Sequence, residues 1–293
     1  MSDQAQGLRN LVELQRTPHT KTTRIVTVTS GKGGVGKSNF TLNFALALQN
    51  LGYKALVFDA DIGMANIDVL MGASPQYNLY HLLKRQKTIW EIIHKGPSGL
   101  EFIAGGSGFQ DLLRLTEEEL DYFAEQIGQL SGYADFMLFD TGAGLSKETL
   151  KFILAAQETI VVTTPEPTSI TDAYAIIKMV STNKPNVNYR LVVNRVTEPK
   201  EGKQTADKIS MVAKQFLDLN IPTLGYVPDD INVSRAVKKQ VPFSIAFPNT
   251  PAARGIQKIA ERFADGVQTD ASPDLVNEPG VKGFLNKMIK LLK

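Results

Sequence analysis

The chain has 293 residues, 43% of them hydrophobic, which is enough for one large α/β domain with short appendages or for two small domains. Its 32 Lys and Arg are balanced by 30 Asp and Glu, so no bulk charge favours a nucleic-acid coat and any positive patch must be local. The absence of cysteine excludes disulfides, zinc–thiolate centres and iron–sulfur clusters, and the three histidines, His19, His81 and His94, are too scattered to suggest a histidine metal site.

Residues 1–23 are polar and lack an apolar signal core, and no run in the chain is long enough to span a bilayer. The expectation is a protein made and kept in the cytoplasm. Asp3 is placed to cap a short helix with Leu8, Leu11, Val12 and Leu14 on one face, although Gly7 weakens it by about 1 kcal/mol relative to alanine. Such a segment either frays or folds onto a partner, with residues 18–23 as its tether.

Residues 24–29 carry the β-branched run Ile25, Val26 and Val28 and read as a strand. The loop Ser30-Gly31-Lys32-Gly33-Gly34-Val35-Gly36-Lys37-Ser38 follows, and Phe40, Leu42, Phe44, Ala45, Leu46 and Leu48 then recur with a helical period. Strand, glycine loop and helix in this order form the context of a P-loop. Its backbone N–H groups would cradle phosphate oxygens at a helix N-terminus. Lys37 would reach the β- and γ-phosphates and the Ser38 hydroxyl would ligate Mg²⁺. The candidate nucleotide-binding set is therefore Gly31 to Ser38 with the adjoining Asn39.

Ala55 to Asp59 is a second buried strand, ending in Asp59-Ala60-Asp61 beside the P-loop, where open α/β sheets place ligands. Residues 100–104 predict a short strand, and Thr116 to Glu119 a capping box at a helix start. Phe136 to Asp140 is an apolar strand ending in a carboxylate, the pattern of a Mg²⁺-holding aspartate. Residues 160–164, 191–195 and 223–227 continue the strands, separated by helical stretches, and Pro251 sits near the start of a final core helix expected to end near Phe263. This alternation predicts a three-layer P-loop fold with a mostly parallel sheet between helices, occupying residues 24–264.

Residues 265–280 contain four acidic residues, two prolines and no Lys or Arg, and predict an acidic disordered linker. Residues 281–293 project Val281, Phe284, Leu285, Met288, Ile289, Leu291 and Leu292 onto one face and Lys282, Asn286, Lys287, Lys290 and Lys293 onto the other. A short basic amphipathic helix suits an anionic membrane surface, with Phe284, Leu285, Met288, Ile289 and Leu292 as the inserting residues. Docking on the protein's own surface is the alternative, and a helix that docks without ATP is compatible with both.

Lys32, just after the first glycine of the loop, resembles the signature lysine of the MinD/ParA/nitrogenase-iron-protein ATPases, the deviant Walker A class. That resemblance implies that Lys32 crosses to the phosphates of a partner in a nucleotide-sandwiched dimer. It also implies that Asp61 orients the attacking water, that Asp59 lies near the metal, and that Asp140 holds Mg²⁺ through a water. Asn194 and Arg195 would read the adenine edge, and Pro228 to Asp230 would close over the base. Val196-Thr197 supply no aspartate of a guanine reader, which favours ATP over GTP.

The wording Asp3-Gln4-Ala5-Gln6-Gly7-Leu8-Arg9, with Asp59 to Asn66 and Asp140 to Gly144, is similar to the FlhG (YlxH/FleN) family of flagellar number and placement ATPases. The resemblance implies that Gln4, Gln6, Leu8 and Arg9 engage an FlhF-type signal-recognition GTPase and stimulate it. It further implies an ATP-bound homodimer on the inner face of the cell membrane, with flagellar switch-complex proteins as further candidates. The alternatives are a MinD-like division-site regulator and a ParA-type DNA partition ATPase.

Overall fold

The computed structural model describes residues 22–61, 66–106, 116–183, 187–269 and 280–292, the side chains of residues 148, 267–269 and 292 excepted. Gln4, Gln6, Leu8 and Arg9 lie outside the described residues, as does the side chain of Leu292.

Eight strands form one sheet: β1 (Arg24–Thr29), β2 (Ala55–Ala60), β3 (Ile93–Lys95), β4 (Glu101–Ile103), β5 (Phe136–Thr141), β6 (Glu158–Thr163), β7 (Tyr189–Val196) and β8 (Thr223–Pro228). Their spatial order is β3-β4-β2-β5-β1-β6-β7-β8. Every pairing is parallel except β3 with β4. The long strands are buried on both faces, which is why they read as near-continuous apolar runs. β3 is Ile93-His94-Lys95, with Ile93 and His94 half-buried and Lys95 exposed, too short and polar to stand out in the sequence.

The helices are α1 (Lys37–Asn50), α2 (Ile67–Met71), α3 (Leu79–Leu83), α4 (Glu117–Gly128), α5 (Lys147–Ala155), α6 (Pro167–Asn183), α7 (Pro199–Leu217), α8 (Ile231–Lys238), α9 (Phe243–Ala246), α10 (Pro251–Thr269) and α11 (Gly280–Leu292). α1 and α10 cover one face, with Phe44 stacked on Phe40 and met edge-on by Phe263. α3, α4, α5 and α11 cover one half of the opposite face, and α6 and α7 the other. Strand alternation divides the layers: Phe136 and Leu138 of β5 face α1, whereas Met137 and Phe139 face α11. Thr116 caps α4 with the expected box, its side chain accepting from Glu119 N while Glu119 accepts from Thr116 N.

Two expectations at the C-terminal end change. α10 continues to Thr269, beyond the expected end near Phe263 and into the stretch read as linker; its first downstream helix breaker is Pro273. α11 forms as predicted but packs against α4, α5 and β1. Val281, Phe284, Leu285 and Met288 are each less than 7% exposed, and Phe284 stacks on Phe139 with ring centroids 4.8 Å apart. Of the residues expected to enter a membrane, Phe284, Leu285 and Met288 are thus buried in the protein's own core and Ile289 is half-buried, while Lys282, Asn286 and Lys290 face outward.

Candidate nucleotide site

β1 lies at the centre of the sheet, with β5 on one side and β6 on the other, so the crevice at its C-terminal end is the topological switch point. The loop after β1 fills that crevice. Gly36 precedes α1 with φ 90°, and a side chain there would collide with the Asn194 amide. A Cβ on Gly31 would strike the backbone of Asp172 and Ala173 in α6. Gly36 is therefore required both by backbone geometry and by close approach, and Gly31 by close approach alone.

Lys37, 6% exposed, donates from Nζ to Asp140 Oδ1 at 2.9 Å and lies 3.3 Å from Ser38 Oγ. Thr41, one turn on, donates its hydroxyl to the same Asp140 oxygen at 2.8 Å. Asp140 Oδ2 is buried and accepts no hydrogen bond. An anionic oxygen with open lone pairs beside a serine hydroxyl suits Mg²⁺, a hard cation that keeps several waters and takes few protein ligands. Ser38 and Asp140 thus fit as its holders.

Asp59 pairs with Asp140 across β2 and β5. Burial, and secondly the Asp140 charge, push its carboxyl up to about 7. Its Oδ1 accepts from Asp61 N at 3.2 Å, and Oδ2 accepts from Asn66 N at 2.9 Å and Ile67 N at 3.1 Å. Expected among the metal-site residues, Asp59 here uses both oxygens to anchor the backbone N–H groups of Asp61, Asn66 and Ile67. Asp61 itself is half-buried, with its carboxylate beside Gly142 and Thr149 at the mouth of the same crevice.

The Lys32 side chain, 41% exposed, donates from Nζ to Glu166 Oε2 at 3.1 Å and to Thr168 Oγ1 at 3.0 Å at the start of α6.

On the other flank a cleft of about 240 Å³ joins Gly34, Gly36 and Asn39 to Asn194, Arg195, Pro228 and Asp230. Asn194 donates to Val35 O at 2.7 Å, tying β7 to the loop. Asp230 caps α8 through Asn232 N at 2.9 Å. The cleft walls are Phe40, Val233, Phe243 and Ile256, apolar surfaces of the kind a base stacks between. Sequence reasoning missed these walls and missed Glu166, Thr168 and Thr41. The signal was weak, because only Thr41 stands at a telling spacing, four residues after Lys37.

Glycine loop, carboxylate pair and apolar-walled cleft thus share one edge of the sheet, and residues 26–243 match the model of the CobQ/CobB/MinD/ParA nucleotide-binding domain. The chain belongs to this family. It is accordingly an ATPase of the P-loop class. The flagellum site-determining protein YlxH of Helicobacter pylori is 37% identical over the whole of both chains. The antiactivator FleN of Pseudomonas aeruginosa is 35% identical over 82% of this chain and 85% of its own. Within the family the chain thus groups with YlxH and FleN. Among solved structures, a septum site-determining protein MinD complexed with Mg-ADP, from Pyrococcus horikoshii, matches with a TM-score of 0.69 and 25% identity, over 85% of this chain and 99% of that one.

Among the described residues, no helix is long and apolar enough to cross a membrane.

Proposed function

We propose that this ATPase is a dimerising, membrane-associating switch that controls flagellar number, placement and assembly. The similarity to YlxH and FleN supports the flagellar role. The observation that carries the switch is the stacking of Phe284 of α11 on Phe139, the residue immediately before Asp140. The element that can leave for a membrane is packed directly behind the strand end that holds the metal site.

Lys37 is ion-paired with Asp140 and Lys32 with Glu166. Entry of a triphosphate offers both lysines a stronger anionic partner. Lys37 turns to the β- and γ-phosphates, which frees Asp140 for the hydrated metal, and Lys32 is released to extend to a second copy. Ser38 and Asp140 would hold Mg²⁺, which would supply positive charge against the negative charge developing on the transferring phosphoryl group. Asp61 orients the water that attacks the γ-phosphorus, Asp59 fixes the backbone that carries it, and Lys32 and Lys37 stabilise the transferring charge. Turnover is slow until the dimer completes the site. Asn194, Arg195, Pro228 and Asp230 hold the adenine.

α11 leaves its groove in the ATP-bound dimer, and the paired helices bind an anionic bilayer together, each too weak alone. The segment carrying Gln4, Gln6, Leu8 and Arg9 stimulates an FlhF-type GTPase. Vesicle co-sedimentation tests the switch. Binding to anionic vesicles is expected with a non-hydrolysable ATP analogue, not with ADP, and not after deletion of residues 281–293. Equal binding with both nucleotides removes the switch, and GTPase stimulation by a peptide of residues 1–23, lost when Gln4 and Gln6 become alanine, tests the output arm.

A further inference from the structure

β8 ends the sheet among the described residues, pairing only with β7. Along its outer edge runs a groove of about 420 Å³, between the start of α7 on one side and α10 on the other. Its floor is Gly225 and Tyr226, Pro199 stands on the α7 side, and Arg254, Lys258 and Arg262 stand on the α10 side. All three cations are exposed, and none forms an ion pair among the described residues. Asp207 of α7 lies near Tyr226 on the opposite wall.

α10 runs antiparallel to β8. Gly255 abuts Tyr226 and Val227, Ile259 abuts Gly225, and Arg262 Nη1 donates to Leu224 O at 3.1 Å. The last contact means that a side-chain donor stands where the N–H of a neighbouring strand would stand. Arg254, Lys258 and Arg262 are four residues apart and therefore climb about 6 Å per step. Alternate residues of an extended strand advance about 6.6–6.8 Å. Three carboxylates at alternate positions of a strand laid beside β8 thus fall opposite the three cations, while the intervening side chains turn toward Tyr226 and Pro199.

We infer that this edge is a docking site for an extended acidic segment of a partner protein, added to the sheet as a ninth strand. Backbone hydrogen bonds to β8 would give affinity, and the row of cations would select the charge pattern.

The test is fluorescence anisotropy of the full-length protein with a labelled heptapeptide that has glutamate at alternate positions and valine or threonine between. Binding is expected, with no binding of the lysine counterpart. Affinity should fall about tenfold or more in Arg254→Ala/Lys258→Ala, whose exposed side chains lie outside the base cleft and leave ATP binding unchanged. It should fall similarly when the peptide amides facing β8 are N-methylated. Unchanged affinity in the double variant overturns the site, and full binding by the methylated peptide overturns strand addition. Tighter, variant-sensitive binding of heparin or duplex DNA assigns the groove to polyanions and overturns the partner class.

Discussion

Lys32 is restrained by one ion pair and one hydroxyl, both solvent-exposed, and an exposed pair is worth about 0–1 kcal/mol. That is enough to position the arm and too little to prevent its transfer to a triphosphate. Glu166→Gln should therefore tighten ATP-dependent dimerisation by no more than about fivefold, measured by sedimentation velocity with a non-hydrolysable analogue. A larger gain would mean that Glu166 does more than hold the lysine. Asp59 makes a second prediction at this scale. Its folded value of about 7 lies above the ordinary 3.8, so between these values the native state holds a proton that the unfolded chain has lost. The nucleotide-free protein should lose stability as pH rises from about 4 through 7 and then level off. Asp59→Asn should flatten that slope in denaturant titrations, whatever it does to absolute stability. A slope unchanged in the variant would assign the pH dependence elsewhere.

α11 is the element with two possible environments. Burying Val281, Phe284, Leu285 and Met288 yields roughly 1.5–3 kcal/mol per fully buried side chain, and a lipid interior rewards the same surfaces comparably. In the proposed switch the balance between groove and bilayer is therefore close, and small inputs from nucleotide and partner would decide it. Val281→Asp places a carboxylate at a fully buried position of the groove while sparing Phe284, Leu285 and Met288. The expected outcome is faster proteolysis of the C-terminal segment with ADP as well as with ATP, while vesicle binding still needs the ATP-bound dimer that pairs the helices. Proteolysis as slow as in the parent protein would mean that the groove does not hold the helix.

At the scale of the whole molecule, stability and chemistry occupy opposite edges of the sheet. At the starts of the strands, buried Glu158 of β6 is ion-paired with Arg24 of β1 at 2.8 Å and accepts from Arg190 Nε of β7 at 2.6 Å. Neutralising it removes a buried charge that two arginines share. Glu158→Gln should cost about 3 kcal/mol in denaturant titration and leave ATP affinity unchanged. At the strand ends the reverse holds. Asp61→Ala should fold normally, bind ATP, dimerise and remain on vesicles, with phosphate release reduced at least about a hundredfold. If the variant turns over normally, Asp61 does not position the water.

The nucleotide loop, the buried strands and the carboxylate-terminated β2 and β5 were legible in the sequence because each is a local pattern. A P-loop needs its glycines and lysine consecutive, and a strand covered on both faces needs an unbroken apolar run. β3 escaped notice because three residues, none of them buried, carry no period. The arrangement of the carboxylates needed the fold: the register of β2 against β5 sets Asp59 opposite Asp140, and the backbone N–H groups of Asp61, Asn66 and Ile67 claim its oxygens. The same holds for the base cleft, whose Phe40, Val233, Phe243 and Ile256 come from four separate elements. The amphipathic stripe of α11 was determined by its sequence alone, but its neighbour was not, since a helix with one apolar face is equally served by a bilayer or a core. The tertiary structure chose the core because α4, α5 and β1 leave a groove in which Phe284 meets Phe139.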